Sequence, residues 1–295
     1  MTMDSQWSLA KAQLPLQTED LYWNEPNQSS LKLASDYHPA KVATDIVVQG
    51  FACAPENQRV RQLDVLVSVG SISKRARVFG RRQWGSGGIS QPEPFERIAL
   101  VYENAFGGRL MDGEEVKVEN PHNPFGCGEF GDHGTPEGQI LPNIEDPDAL
   151  IKHPHDKPLP TGFAPIAPGW QPRVGYAGTY DEAWQQERAP YLPHDFDPRF
   201  FNVASPGLIY PGFLVGGEPI HIVNMHPQGE IKTSLPRVNL IARIDMGEQI
   251  EQPQFNIETV TIEPTQGQLS MVWKASYPCD KKMLKIKEVA ISTSR

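Results

Sequence analysis

The sequence predicts a mainly β protein: an antiparallel sandwich or barrel-like single domain over residues 1–295, with long Pro/Gly-rich loops and a few short helices. Three observations predict it. Apolar residues alternate with period two in both the first and the last third of the chain. Polar turns separate these runs at fairly regular spacing. The 28 prolines among 295 residues are nearly twice the usual share of about 5% and leave little room for long helices.

The first strand-rich region is 29–106. TDIVVQGFACAP at 44–55 is a short apolar run closed by proline. In RQLDVLVSVG, Leu63, Val65, Val67 and Val69 alternate with polar or smaller partners, the mark of a half-buried strand. Gly70 and Ser71 turn the chain, and KRARVFG returns as the hairpin partner. RIALVYE at 97–103 is a further strand candidate. The loop region, 107–213, begins with 12 glycines and 11 prolines in the 72 residues from 107 to 178. A structureless stretch of that length is expected to be functional or packed down, and Phe125, Phe130, Phe163, Ile166 and Trp170 argue for packing. A short helical turn is expected in EDPDALIK, with Asp146 as cap and Pro147 at the first helical position. Short helices are also expected near 180–188 and 198–202. The second strand-rich region, 214–292, holds EPIHIVNM, RVNLIARID, FNIETVTIEP, QLSMVWKASY and MLKIKEVAIS, with TQG at 265–267 turning between two of them.

Net charge is −9, so a global attraction to phosphate backbones is missing and no nucleic-acid partner is expected. The local basic run SKRARVFGRRQW at 73–84 places Arg75, Arg77 and Phe79 on one strand face and Ala76 and Val78 on the other; a solvated strand face is the simpler account. No apolar run reaches signal-peptide or transmembrane length, so no membrane partner is expected. Cys53, Cys127 and Cys279 are odd in number and far apart, giving neither a disulfide framework nor a CxxC knuckle, and a cytoplasmic home is the expectation.

The densest cluster of aromatic and ionisable residues is GTYDEAWQQERAPYLPHDFDPRFFN at 178–202. Thr179 and Glu182 have capping-box spacing, a helix from Tyr180 places Trp184 one turn below it, and Pro190 ends it. Asp197-Pro198 starts a second short turn through Arg199, Phe200 and Phe201. A glycan-active hydrolase would need a carboxylate pair, and Asp181 and Asp195 are the nominees. A carbohydrate-binding module would instead present Trp170 and Trp184 to solvent, whereas Trp184 is expected to be mostly buried. For a metal, His153 and His155 lie on one side of an extended segment, with His122, Cys127, Asp132 or His133 as further ligands; no zinc spacing is matched, and neither metal nor cofactor is expected. GxSxG, SxxK, P-loop and HExxH patterns are absent, and the glycine pair of NAFGGRL reads as a tight turn. No enzymatic activity is expected.

The chain resembles a bacterial family of accessory proteins from type VI secretion loci. The resemblance is carried by SSLKLASDYHPAKVATDIVVQG (29–50), VSVG with RVFGRRQW (67–84), PEPFERIALVYENAFGG (92–108), NPFGCGEF (123–130), LPNIEDP (141–147), residues 160–206 and LVGGEPIHIVNMHP (214–227), with TVTIEP and LSMVWKASYPC completing it. It implies an adaptor-chaperone that binds the PAAR-like tip of a cognate toxin and helps load it onto the VgrG spike. The partner-binding or loop-bracing residues would be Trp170, Arg173, Tyr180, Asp181, Trp184, Asp195, Phe196, Arg199 and Phe200. Two features depart from the family pattern. The family usually carries strand-forming sequence before the position of Trp7, whereas this chain starts almost at once, so either the start lies inside a longer form or one edge strand is missing. Its basic strand usually ends in glycine, an acidic residue and arginine before the tryptophan, where this chain has Arg81, Arg82 and Gln83 before Trp84, and no role is carried over to that turn.

Overall fold

The computed structural model describes residues 2–4, 14–131 and 136–293. The protein is mainly β, built from open sheets that share one core, and none of the described sheets closes into a barrel. The principal strands are β1 (Thr2–Asp4), β2 (Asp45–Val48), β3 (Gln62–Val69), β4 (Ile72–Phe79), β5 (Ile144–Glu145), β6 (Pro219–His226), β7 (Gly229–Ser234), β8 (Leu240–Asp245), β9 (Phe255–Glu263), β10 (Gln268–Ala275) and β11 (Glu288–Thr293). The largest sheet has the order β1-β7-β6-β3-β4-β5, and a second has the order β10-β9-β2.

The β3–β4 hairpin forms as its alternation requires. Val65, Val67 and Val69 point into the core opposite Ala76, Lys74 and Ile72, and Gly70 turns the chain at φ +56°, a conformation in which a side chain would be strained. β6 pairs antiparallel with β3 and buries Ile220, Ile222 and Met225. In the second sheet, β9 and β10 pair antiparallel through the turn that includes 265–267, whereas β2 joins β9 in parallel, Asp45 opposite Thr259. That parallel pairing ties the first third of the chain to the last. Ile46, Val48, Ile257, Val260 and Ile262 from this sheet meet Val65, Val67, Ile220 and Ile222 in a single cluster. Each such aliphatic side chain contributes about 1.5–3 kcal/mol by leaving water.

Several expectations need correction. RIALVYE is a strand only over Arg97–Ala99, paired with Phe51–Cys53; Tyr102–Asn104 is a 3-10 turn that carries the Tyr102 ring into the core. EDPDALIK forms no helix. Ile144 and Glu145 add a strand beside β4, and Asp146 caps a single turn by accepting from the Asp148 amide at 2.9 Å. MLKIK belongs to the 3-10 segment Asp280–Lys285 and its exit, and only Glu288–Thr293 is strand. β1 lies along β7 in parallel, while Trp7 falls outside the described residues.

The Pro/Gly-rich region is not wholly without strands: Arg109–Asp112 and Glu115–Glu119 pair as an exposed antiparallel hairpin, and Phe106–Gly107 pairs in parallel with Cys127–Gly128, while irregular chain further on lies on the core. Phe163, Ile166, Ala167 and Trp170 enter the same cluster as the sheets, and Trp170 meets Tyr102 edge-on with centroids 5.7 Å apart. Asn123, fully buried, donates to the Tyr102 and Phe106 carbonyls at 2.7 and 3.0 Å, satisfying backbone acceptors buried beside the core.

Candidate functional site

The block 178–202 is a surface loop folded back on itself. At its entry Gly178 adopts φ +77°, and a Cβ there would stand 2.9 Å from Asp195 Oδ1. Asp195 closes the loop: it accepts from the Thr179 amide at 3.0 Å and from the Thr179 hydroxyl at 2.7 Å. Those bonds hold its carboxyl below the usual range, the opposite of the raised pKa a glycosidase acid needs. Thr179 is thus not the helix cap. Asp181 caps α1 (Glu182–Glu187), accepting from the Trp184 amide at 2.8 Å.

α1 fully buries no residue, and Trp184 is covered over most of its surface, as expected, without being fully buried. Its indole N–H donates to the Tyr191 carbonyl at 2.8 Å, and its ring meets Tyr180 with centroids 4.7 Å apart. Arg188 Nε donates to the Leu192 carbonyl at 2.9 Å, fixing the turn after the helix. Tyr180 and Tyr191 remain 53% and 69% exposed on this frame. Asp181, Trp184, Glu187, Arg188, His194 and Asp195 line a shallow pocket of about 200 Å³. The two nominated carboxylates therefore share a concavity while both serve as local backbone acceptors.

The second half of the block runs inward. Asp197 caps Pro198–Phe201, accepting from the Arg199 amide at 2.9 Å and from Arg199 Nε at 2.8 Å. The Arg199 side chain first, and its amide with it, lower the Asp197 pKa, and the guanidinium lies 4.4 Å over Tyr176. Phe196, Phe200 and Phe201 form a triangle with centroids 5.3–5.9 Å apart, and Phe201 stacks on His38. Arg173 is buried beneath this triangle, donating to the Phe200 carbonyl at 2.8 Å and the Ile166 carbonyl at 3.0 Å. Burial lowers its pKa. Trp170 is only 5% exposed, which contradicts the solvent-facing platform that a carbohydrate-binding module would require there.

The exit of the block is nailed to β2. Asn202 Nδ2 donates to the Ala43 carbonyl at 2.8 Å and Asp45 Oδ1 at 3.1 Å, and the Val203 amide donates to Asp45 Oδ2 at 2.8 Å. Lys41 Nζ, also buried, pairs with Asp45 Oδ2 at 2.8 Å. Sequence reasoning missed Lys41 and Asp45. The available signal was a carboxylate directly before the fully apolar run IVV, where burial demands a partner.

Three of the five basic residues of the run are paired with carboxylates. Arg75 pairs with Asp148, Arg77 with Asp64, and Arg82 lies buried against Glu145 with its guanidinium 3.6 Å over the Phe79 ring. Arg82 thus has a structural role in the turn to which the resemblance assigned none. Among the described residues, no three His, Cys, Asp or Glu side chains converge as a metal site would require. His153 and Lys152 offer their amides to Asp156 instead, and burial pushes the Cys127 thiol up to about 11. Asp132 and His133 lie outside the described residues. Also among the described residues, no helix is long and apolar enough to cross a membrane.

No curated protein and no solved structure matches the chain. A family model described as "Uncharacterized protein conserved in bacteria (DUF2169)" matches residues 1–274. With that match extending over nearly the whole chain, the protein belongs to this bacterial family.

Proposed function

We propose that this protein is a cytoplasmic adaptor-chaperone of type VI secretion, which binds the PAAR-like domain of a cognate toxin and helps load it onto the VgrG spike. It acts by binding rather than by chemistry. The context comes from the colinear resemblance of the quoted motifs. The observation that carries the binding role is the construction of 178–202: Asp181, Asp195, Asp197, Arg188 and Arg199 are engaged in internal bracing, while Tyr180 and Tyr191 stand exposed on that frame. Aromatic side chains held in place bind at low entropic cost, which suits them as interface anchors. Asp181, Asp195, Arg199, Trp170, Arg173, Phe196 and Phe200 then brace the surface, and Tyr180 and Tyr191, with the open side of Trp184, face the toxin.

Co-expression of the neighbouring PAAR-like toxin with this chain, followed by affinity capture, tests the role. The wild type is expected to retain the toxin. Y180A/Y191A is expected to lose at least about tenfold in affinity, as for hot-spot aromatics, with its unfolding midpoint unchanged. Failure of the wild type to capture the toxin, together with normal toxin secretion after deletion of the gene, would end the proposal.

A further inference from the structure

β11 lies beyond the residues matched by the family model and forms one edge of a small sheet whose order is Ile250–Glu251, β8, β11. Among the described residues β8 is its one neighbour, which leaves a row of backbone N–H and C=O groups along its other side. Such an edge is a template for a further strand, and protein edges are usually blunted by charge, proline or a bulge. This one is apolar. Val289 and Ile291 are 58% and 65% exposed, on the face where their β8 partners Ile244 and Ala242 are buried. The single carboxylate of β11, Glu288, lies beside Arg243 of β8.

We propose that this edge is a homodimer interface in which β11 pairs antiparallel with β11 of a second copy, about a twofold axis at Ala290. The strand is self-complementary in that register. A twofold perpendicular to the sheet keeps the same face upward in both copies, so side chains meet only in pairs whose numbers have an even sum. Centred on Ala290, Val289 falls opposite Ile291 of the second copy, and Ile291 opposite its Val289. The four exposed aliphatic side chains then form one patch continuous with Ala242 and Ile244. On the other face Glu288 falls opposite Ser292, and at the rim Lys287 and Thr293 meet, so no like charges oppose each other. Centring on Ile291 instead would set Val289 against Thr293 and break the patch. An interface of one strand pair is small, so the dimer is concentration-dependent rather than obligate. The inference is independent of the adaptor role.

Sedimentation velocity of the full chain over a concentration series tests it. The mass is expected to rise from 32.9 kDa towards twice that value. I291E is expected to stay monomeric with unchanged circular dichroism and unfolding midpoint. V289K/I291E is expected to dimerise again, more weakly at high salt, because the register sets each introduced lysine against an introduced glutamate. V289E/I291E, which opposes like charges, is expected to stay monomeric. A wild type that remains at 32.9 kDa throughout would overturn the interface, and an edge reserved for a strand of another protein would give that result. Persistence of the dimer in V289E/I291E, or no recovery in V289K/I291E, would overturn it equally.

Discussion

His38 sits under the inner end of the block, its ring stacked on Phe201 with Lys274 Nζ 3.3 Å and Glu258 Oε2 3.9 Å away. Burial lowers its pKa from 6.5 to about 4; the Pro39 carbonyl opposes that shift, while Lys41 and Lys274 add to it. The folded state therefore favours neutral imidazole. Above pH 6.5 neither state binds the proton and stability is full. As pH falls from 6.5 towards 4, the unfolded chain takes up a proton that the folded chain refuses, and stability drops by up to about 1.4 kcal/mol per pH unit. Urea unfolding across this window should show the loss in the wild type and a flatter curve in H38F; superimposable curves would refute the assignment. Nothing in DYHPAK marks His38 as special, because Phe201, Glu258 and Lys274, which pack around its ring, lie more than 150 positions away. Trp170 and the three phenylalanines were readable as anchors, since large aromatics leave water wherever the chain permits.

α1 is a six-residue helix with no buried residue, too short to persist on propensity alone, so its caps hold it. D181A removes the acceptor for the Trp184 amide and should cost about 1 kcal/mol locally. Hydrogen exchange should report faster exchange at Trp184 and Gln185 with the global unfolding midpoint unchanged. Equal protection in the variant would show that the cap does not hold the helix. The helix was recognisable in the sequence, but its cap was not: both Thr179 and Asp181 can cap, and Asp195, which arrives from sixteen residues later, engages Thr179 and leaves Asp181 to the helix. β7 was missed for a different reason. In GEIKTS only Ile231 is buried, so the alternation is too weak to see until β6 and β1 are on either side of it. The hairpins β3–β4 and β9–β10 were clear because each pairs neighbouring segments, and local pattern and turn chemistry are enough for that.

Across the whole molecule, Asp45 is where three parts meet: the parallel pairing of β2 with β9, the buried Lys41, and the exit of the surface block at Asn202 and Val203. D45A would leave the Lys41 ammonium buried without its counter-ion, a loss of about 3–5 kcal/mol. Urea denaturation should show that fall, and a loss under about 1 kcal/mol would mean the ammonium finds water. By itself the sequence determined the mainly β class, the principal hairpins, the packed rather than free state of the Pro/Gly-rich region, and the aromatic anchors within it. Each follows from short-range patterning and from the exclusion of large apolar groups from water. Only the tertiary structure decided that β2 enters its sheet in parallel, that Asp181 and Asp195 are braces sharing a shallow pocket, and that Lys41–Asp45 and Arg82–Glu145 are buried pairs. Those outcomes depend on residues brought together from far along the chain, where desolvation and hydrogen-bond demand choose the partners and local spacing carries no trace of the choice.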